Sequence, residues 1–387
     1  MDNRHVFLIP SRNHLNHFSE IIISDNCLSR ELQSFLFPLN FIENIIYLSK
    51  YSIRDNFITS NNRYANIFSY IATIILIFIY ILLISLDKGV RNFKHDVLFI
   101  GIIHYILLII GRIIYNFTNN GFSNCHVNLI ISIDRMQRSL KIKYKNFITY
   151  NWLLFFLICF YYIILFIIQA YANRSTLLVC YSYFILFIDD LNTVYLILIN
   201  KLLLEYTMLY ETKLKTVNYS YTSPTSVRQR EETLNSMVDI FVEISKATSA
   251  YKYISEIPMF YRMAFITIYC LTYVQLIIMF QNTPDNMIWV LLLCWFIKTF
   301  FFVWMICYNS ENLKLTLYNI QATILSMMME DNSGEDVSKY NTLLQESTVS
   351  CKVMETSVIL KVDAKLPLAL LSVSATYTVV LLQFAFR

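Results

Sequence analysis

Glycine and proline are scarce, five and six in 387 residues. Both residues break helices, and transporters commonly interrupt their spans with them near the membrane midplane. No internal repeat is visible either, which further disfavours a duplicated transporter. Charge is sparse too: 15% of residues are charged, against about 25% in soluble domains. The eight cysteines (Cys27, Cys125, Cys159, Cys180, Cys270, Cys294, Cys307 and Cys351) stand singly, with no C-x-x-C pair. That spacing excludes a zinc ribbon and argues against a disulfide framework. There is no His-Glu-x-x-His, no glycine-rich phosphate loop and no nucleophile elbow, so no catalytic residue, metal set or cofactor is expected.

What is abundant is apolar: 56% of residues, with a mean hydropathy of +0.49. A helix needs about 20 apolar residues to cross about 30 Å of hydrocarbon. Seven stretches qualify, near 65–86, 96–115, 152–172, 177–199, 260–280, 287–307 and 366–386. Residues 31–50, interrupted by Pro38 and Glu43, read as an amphipathic helix ahead of the first span. The N-terminus has no basic start followed by a long apolar core, so no signal peptide is expected.

Lysine and arginine collect in alternate loops, 23 in 1–64, 116–151, 200–259 and 308–365 against 4 in the remaining three. By the positive-inside rule the N-terminus is cytoplasmic and the C-terminus extracellular. The net charge of +4 reports this topology and not nucleic-acid binding. The orientation opposes a G-protein-coupled receptor. Asp134-Arg135 in "SIDRMQRS" follows "FTNNGFSNCHVN", which is too polar to close a span.

The fold class expected is therefore an all-α integral membrane protein: seven transmembrane helices, cytoplasmic N-terminus, extracellular C-terminus and long cytoplasmic helical extensions. Three apolar stripes at spacings of three and four predict those extensions. They are Leu234, Met237, Phe241, Ile244, Thr248 and Tyr251; Leu313, Leu317, Ile320, Ile324 and Met327; and Tyr340, Leu344, Ser347, Cys351, Met354 and Val358. They pack within one chain or join subunits. "NYSYTSPTS" and "EDNSGEDVS" read as disordered connections. The regions are an N-terminal tail 1–64, spans one to four 65–199, a cytoplasmic extension 200–259, spans five and six 260–307, anchor helices 308–365 and a last span 366–387. Pro258 and Pro367 lie near span starts, where proline is tolerated.

The last span carries Thr376, Tyr377, Val380, Gln383 and Phe384 on one stripe. An amide facing lipid would forfeit hydrogen bonds worth several kcal/mol. The stripe therefore faces another helix or lines an aqueous pore, closed by Val380 and Phe384. "TYTVVLLQF", residues 376–384, resembles the Thr-Tyr, five hydrophobics, Gln-Phe signature at the C-terminus of insect gustatory receptors. The span count, the cytoplasmic N-terminus, the short outer loops, the long inner helices and "VYLILINKLLLEYTMLYETKL" after the fourth span are similar to that family.

The resemblance implies a ligand-gated, non-selective cation channel, a homo- or heterotetramer in the plasma membrane of sensory neurons. In it the last helices of the subunits line a central pore. Val380, Gln383 and Phe384 would then be the constriction, Thr376 and Tyr377 would steady the packing behind it, and the cytoplasmic helices would form the anchor. Partners would be the lipid bilayer, cations and a small-molecule tastant, leaning to bitter over sugar, with no nucleic acid. No acid stands beside the constriction, and Arg387 is expected near the outer mouth.

Ionisable residues inside spans are candidate sites by default. Asp189 and Asp190 either line a ligand pocket or pair with Arg112 or Lys298. Tyr161, Tyr162, Gln169, Tyr181, Tyr183, Tyr273, Gln275 and Trp289 complete the candidate pocket in the outer halves of the spans. Arg262 is expected to snorkel at the cytoplasmic end, and His104 reads as a hydrogen-bonded core residue or a ligand contact. Asn173-Arg174-Ser175 is an outer glycosylation sequon, too near the membrane for use; Asn116 and Asn218 begin sequons on the cytoplasmic side. The alternatives to a channel are an intramembrane transporter or enzyme centred on Asp189 and Asp190, and a metabotropic receptor.

Overall fold

In the computed structural model, the described residues are 26–46, 48–87, 95–140, 145–171, 177–220, 227–280, 286–330, 337–355 and 365–385. The Asn173 sequon, Val358, Arg387 and the middles of both polar breaks lie outside them. So do the side chains of Tyr273, Gln275, Trp289 and Phe384.

The described chain is helical except for one hairpin. Helix α1 spans Arg30–Ile45, with strands β1 Ser52–Arg54 and β2 Phe57–Thr59 behind it. Helices α2 to α5 follow as Arg63–Leu86, His95–Gly121, Ser123–Leu140 and Lys145–Tyr171. Helices α6 Leu177–Ser220, α7 Val227–Phe280 and α8 Asn286–Glu330 are much longer, and α9 Val337–Glu355 and α10 Leu366–Ala385 complete the order. Among the described residues six helices are long and apolar enough to cross a membrane, and the apolar stretch Leu366–Val380 of α10 is shorter. The protein is thus built as a helical membrane protein.

With 44, 54 and 45 residues, α6, α7 and α8 run roughly 65–80 Å at 1.5 Å per residue, far beyond the hydrocarbon thickness. Their apolar halves belong to a membrane slab and their other halves to a second, basal bundle with α4 and α9. The basal bundle is held by the stripes read from sequence. Leu234, Phe241, Ile244, Leu313, Leu317, Ile320, Ile324 and Tyr340 are all buried, and α9 packs on α7 and α8. Phe241 lies against the Tyr210 ring, 5.3 Å between centroids.

Several elements differ from the sequence reading. Helix α6 continues through Asn218 to Ser220, so the first polar break starts later than its composition suggests. Pro258 sits inside the unbroken α7. Residues 116–151, read as a loop, hold the end of α3 and all of α4. Helix α4 is buried on α7, and its apolar residues Leu129, Ile133, Met136 and Leu140 share a face.

The hairpin is a further addition. Asp55 and Asn56 take φ of 52° and 68°, the left-handed pair that a two-residue primed turn needs and that Asp and Asn tolerate. They set the register Ser52 to Thr59, Ile53 to Ile58 and Arg54 to Phe57. Asp134-Arg135 is a clamp. Asp134 accepts from the Ser29 amide at 3.0 Å and pairs with Arg138 at 2.6 Å, while Arg135 reaches Glu243 of α7 at 3.2 Å.

In the slab, exposure is inverted. Helix α2, the most apolar, exposes Ile67, Ile71, Ile74, Phe78 and Leu82 and buries Ser69, Thr73 and Tyr80. Asn116 of α3 accepts from the Ser69 hydroxyl at 2.9 Å and donates to the Thr73 hydroxyl at 2.7 Å. The polar run from Asn116 to Asn120 thus bonds to both neighbours: Asn120 donates to the Ser69 hydroxyl of α2 at 3.0 Å, and Asn119 donates to Asn192 of α6 at 3.0 Å.

Phe241→Ala should cost about 3–5 kcal/mol, read as a lowered melting temperature of the detergent-solubilised chain. Thr212→Ala, exposed on α6, should change it by less than about 0.5 kcal/mol. Equal effects would mean that the basal stripe does not form a core.

Candidate functional site

Four helices of the slab converge on one carboxylate. Asp190 of α6 is fully buried; one of its oxygens binds the Arg262 guanidinium of α7, and the other binds Lys298 of α8 at 2.5 Å. The Tyr162 hydroxyl of α5 donates to the same oxygen at 2.6 Å, and Lys298 donates to that hydroxyl at 3.2 Å. The ammonium also lies 5.0 Å from the ring centres of both Tyr161 and Tyr162. A carboxylate in such a place is tolerated only when opposite charge and hydrogen bonds replace water. Here two cations and a hydroxyl do so.

Asp189 is built differently. It is fully buried, yet neither carboxylate oxygen has a hydrogen-bond partner. The cation acting on it most strongly is Arg112 of α3, itself 1% exposed and with Nε and Nη2 unpartnered. The Tyr161 hydroxyl, beside Lys298, is buried and unpartnered as well. Adjacent residues on a helix point about 100° apart, so the two acids serve two environments. Asp190 is closed, and Asp189 together with Arg112 keeps acceptors and donors unsatisfied.

The other candidates split into two groups. Gln169 of α5 donates to the Tyr183 hydroxyl at 2.9 Å, on the Tyr161 side of the cluster. Tyr181 instead turns toward α2, donating to the Leu76 carbonyl at 2.9 Å and lying 5.7 Å from the Tyr80 ring. There it joins an aromatic cluster of Tyr80, Tyr115, Tyr261, Phe265, Tyr269 and Trp295. His104 packs edge-on to Tyr105 and Tyr269, at 5.4 Å and 5.1 Å. One glycine makes the cluster possible. A Cβ at Gly111 would collide with the Tyr261 ring, which crosses α3 there and donates to the Leu107 carbonyl at 3.0 Å.

Two corrections follow. Arg262 does not snorkel; it is 2% exposed and bound to Asp190. It stays inside because the acid offers it a stronger partner than the headgroups would. The pairing of Asp190 with Lys298 is as considered from sequence, whereas Arg112 faces Asp189 without an ion-pair contact among the described ones. Sequence reasoning also missed Tyr80, Tyr115 and Tyr261. Tyr80 had a signal: Ser69, Thr73 and Tyr80 are small or polar residues at helical spacing in an otherwise apolar span.

The last helix packs on α7 and α8. The Ser374 hydroxyl is within hydrogen-bonding reach of the Cys270 thiol of α7, and the Thr376 hydroxyl turns back on the Ser372 carbonyl at 2.9 Å. The far face is uncovered: Tyr377 is 52% and Val380 39% exposed, and Gln383 and Thr376 are exposed too. Among the described residues no group of three or more His, Cys, Asp or Glu is placed to hold a metal ion. No protein-family model and no curated protein matches the chain.

Asp190→Ala would strand Arg262 and Lys298, a loss of about 3–5 kcal/mol, read as collapse of the monodisperse peak in size-exclusion chromatography. Asp189→Asn should keep that peak. The reverse ranking would overturn the division of roles.

Proposed function

We propose that the chain is one subunit of a tastant-gated, non-selective cation channel of the insect gustatory receptor type, and that α10 lines the pore. The reading takes α10 as a seventh span with the N-terminus cytoplasmic and the C-terminus outside. The observation that carries it is the uncovered stripe Thr376, Tyr377, Val380 and Gln383. A glutamine buried against its own chain would have been a packing residue. On this helix the amide side is the one left free, and in a bilayer a free amide side calls for water or a second subunit. Symmetric copies of α10 around an axis supply both. Tyr377 then packs between subunits, which accounts for its exposure in one chain. The buried basal helices stand beneath the slab as an anchor, and their outward residues Leu325, Met329 and Val349 suit contact with neighbouring copies.

For the ligand, the open pair Asp189 and Arg112 is favoured over Asp190, whose oxygens are already taken. Donors beside acceptors suit a neutral polar tastant. The cell is a sensory neuron and the membrane its surface, by the same resemblance.

Gln383→Ala should change single-channel conductance or the permeability ratio of monovalent cations while surface expression stays normal. A several-fold change in conductance is the scale expected when one ring of polar pore groups is lost. Patch-clamp records indistinguishable from the parent would remove α10 from the pore.

A further inference from the structure

Helix α1 carries an outward rail whose chemistry changes along its length. Residues 30, 31 and 34 are Arg, Glu and Ser, all exposed. Further along the same side, Phe37 is 54%, Phe41 52% and Ile45 60% exposed, with the two phenyl rings stacked at 5.6 Å. The inner face, Leu32, Phe35, Leu36 and Leu39, belongs to the core. The exposed ridge is therefore a second apolar face, confined to the last two turns.

Its neighbour says what covers it. Helix α1 packs on α5, where the Asn151 amide donates to the Phe35 carbonyl. Just beyond Asn151, α5 begins its outward apolar run of Leu153, Phe156, Leu157 and Phe160, each about 60% exposed. Helix α5 is one of the six helices fit to cross a membrane, so that run faces lipid. The α1 ridge begins at Phe37, two residues after the Phe35 contact with Asn151.

The turn after α1 is built for low dielectric. The Leu48 amide donates to the Glu43 carbonyl at 2.7 Å, the Lys50 carbonyl accepts from Ser123 at 2.8 Å, and Glu43 and Lys50 neutralise each other as a buried pair. Burial pushes the Glu43 carboxyl up and the Lys50 ammonium down; each opposes the other's shift, and Arg112 also acts on both. Arg112 stands nine residues before the end of α3, roughly 14 Å along the axis. The turn therefore reaches toward the slab with these polar groups paired, as backbone at membrane depth requires. Asn44, at one edge of the ridge, suits the headgroup boundary and not the bilayer centre.

We propose that the C-terminal two turns of α1 lie in the bilayer leaflet at that end of the slab, with Phe37, Phe41 and Ile45 in contact with phospholipid acyl chains.

The test uses the full chain in phosphatidylcholine bilayers, with p-benzoylphenylalanine in turn at Phe41, at Phe156 and at Ser34. Irradiation and mass spectrometry of the digested chain then read what each position touches. Phospholipid-mass adducts are expected at 41 and 156 and not at 34. Three results would overturn the proposal: lipid adducts at 156 without any at 41, a crosslink from 41 to a peptide of the same chain, or one to a second copy.

Discussion

A carboxylate without water must be answered by other groups, and Asp190 is answered by three helices at once. Arg262, Lys298 and Tyr162 come from α7, α8 and α5, and the acid itself from α6. Such a cluster contributes little net stability against an apolar replacement, but it is costly to half-dismantle. Its effect is to specify one mutual rotation of four helices whose apolar surfaces would otherwise slide against each other. In lipid, where tails are as apolar as leucine, helix pairs lack the hydrophobic drive they have in water. Polar contacts must choose the register instead, and the Ser69, Thr73 and Asn116 ladder does the same for α2 and α3.

The basal bundle obeys the opposite rule. There the stripes of α7, α8 and α9 are apolar, buried and flanked by charge, as water demands. The two regimes meet inside single helices. Helix α7 carries the Leu234 to Tyr251 stripe first, then changes near Pro258 to a sequence whose buried members include Tyr261, Arg262 and Tyr269.

That change of rule explains what could be read in advance. The basal stripes were legible because periodicity of apolar residues reports burial in water, and the long spans because a run of twenty apolar residues has few other uses. The interior of the slab was less legible. A span is apolar all round, so hydropathy does not say which face is inside. Asp189 and Asp190 could be seen as unusual, but nothing local distinguishes the one held by two cations from the one left open. That depends on Arg262 and Lys298, 72 and 108 residues away. Helix α4 was missed because polar residues in "SNCHVN" mask a short apolar face, and the hairpin because its signal is two residues, Asp55 and Asn56. Arg262 was misplaced by a rule that holds for lone basic residues and lapses when an acid is within reach.

On the channel reading, the geometry also says how a site among the spans would reach the pore. Helix α7 holds Arg262 against Asp190, and its Cys270 faces Ser374 of α10. Eight residues separate the two contacts, about two turns. Tyr261, next to Arg262, crosses Gly111 on α3, the helix that carries Arg112. A ligand that satisfies Arg112 and Asp189 would alter the field around Arg262 and the seating of α3 on Tyr261, both on one stretch of α7. Packed helices move as rigid units between discrete seatings. A small rotation of α7 would therefore appear on α10 directly, with no intervening loop to absorb it. Because the basal half of α7 is clamped by α4 and α9, the motion would be confined to the slab, leaving the anchor still while the last helix turns.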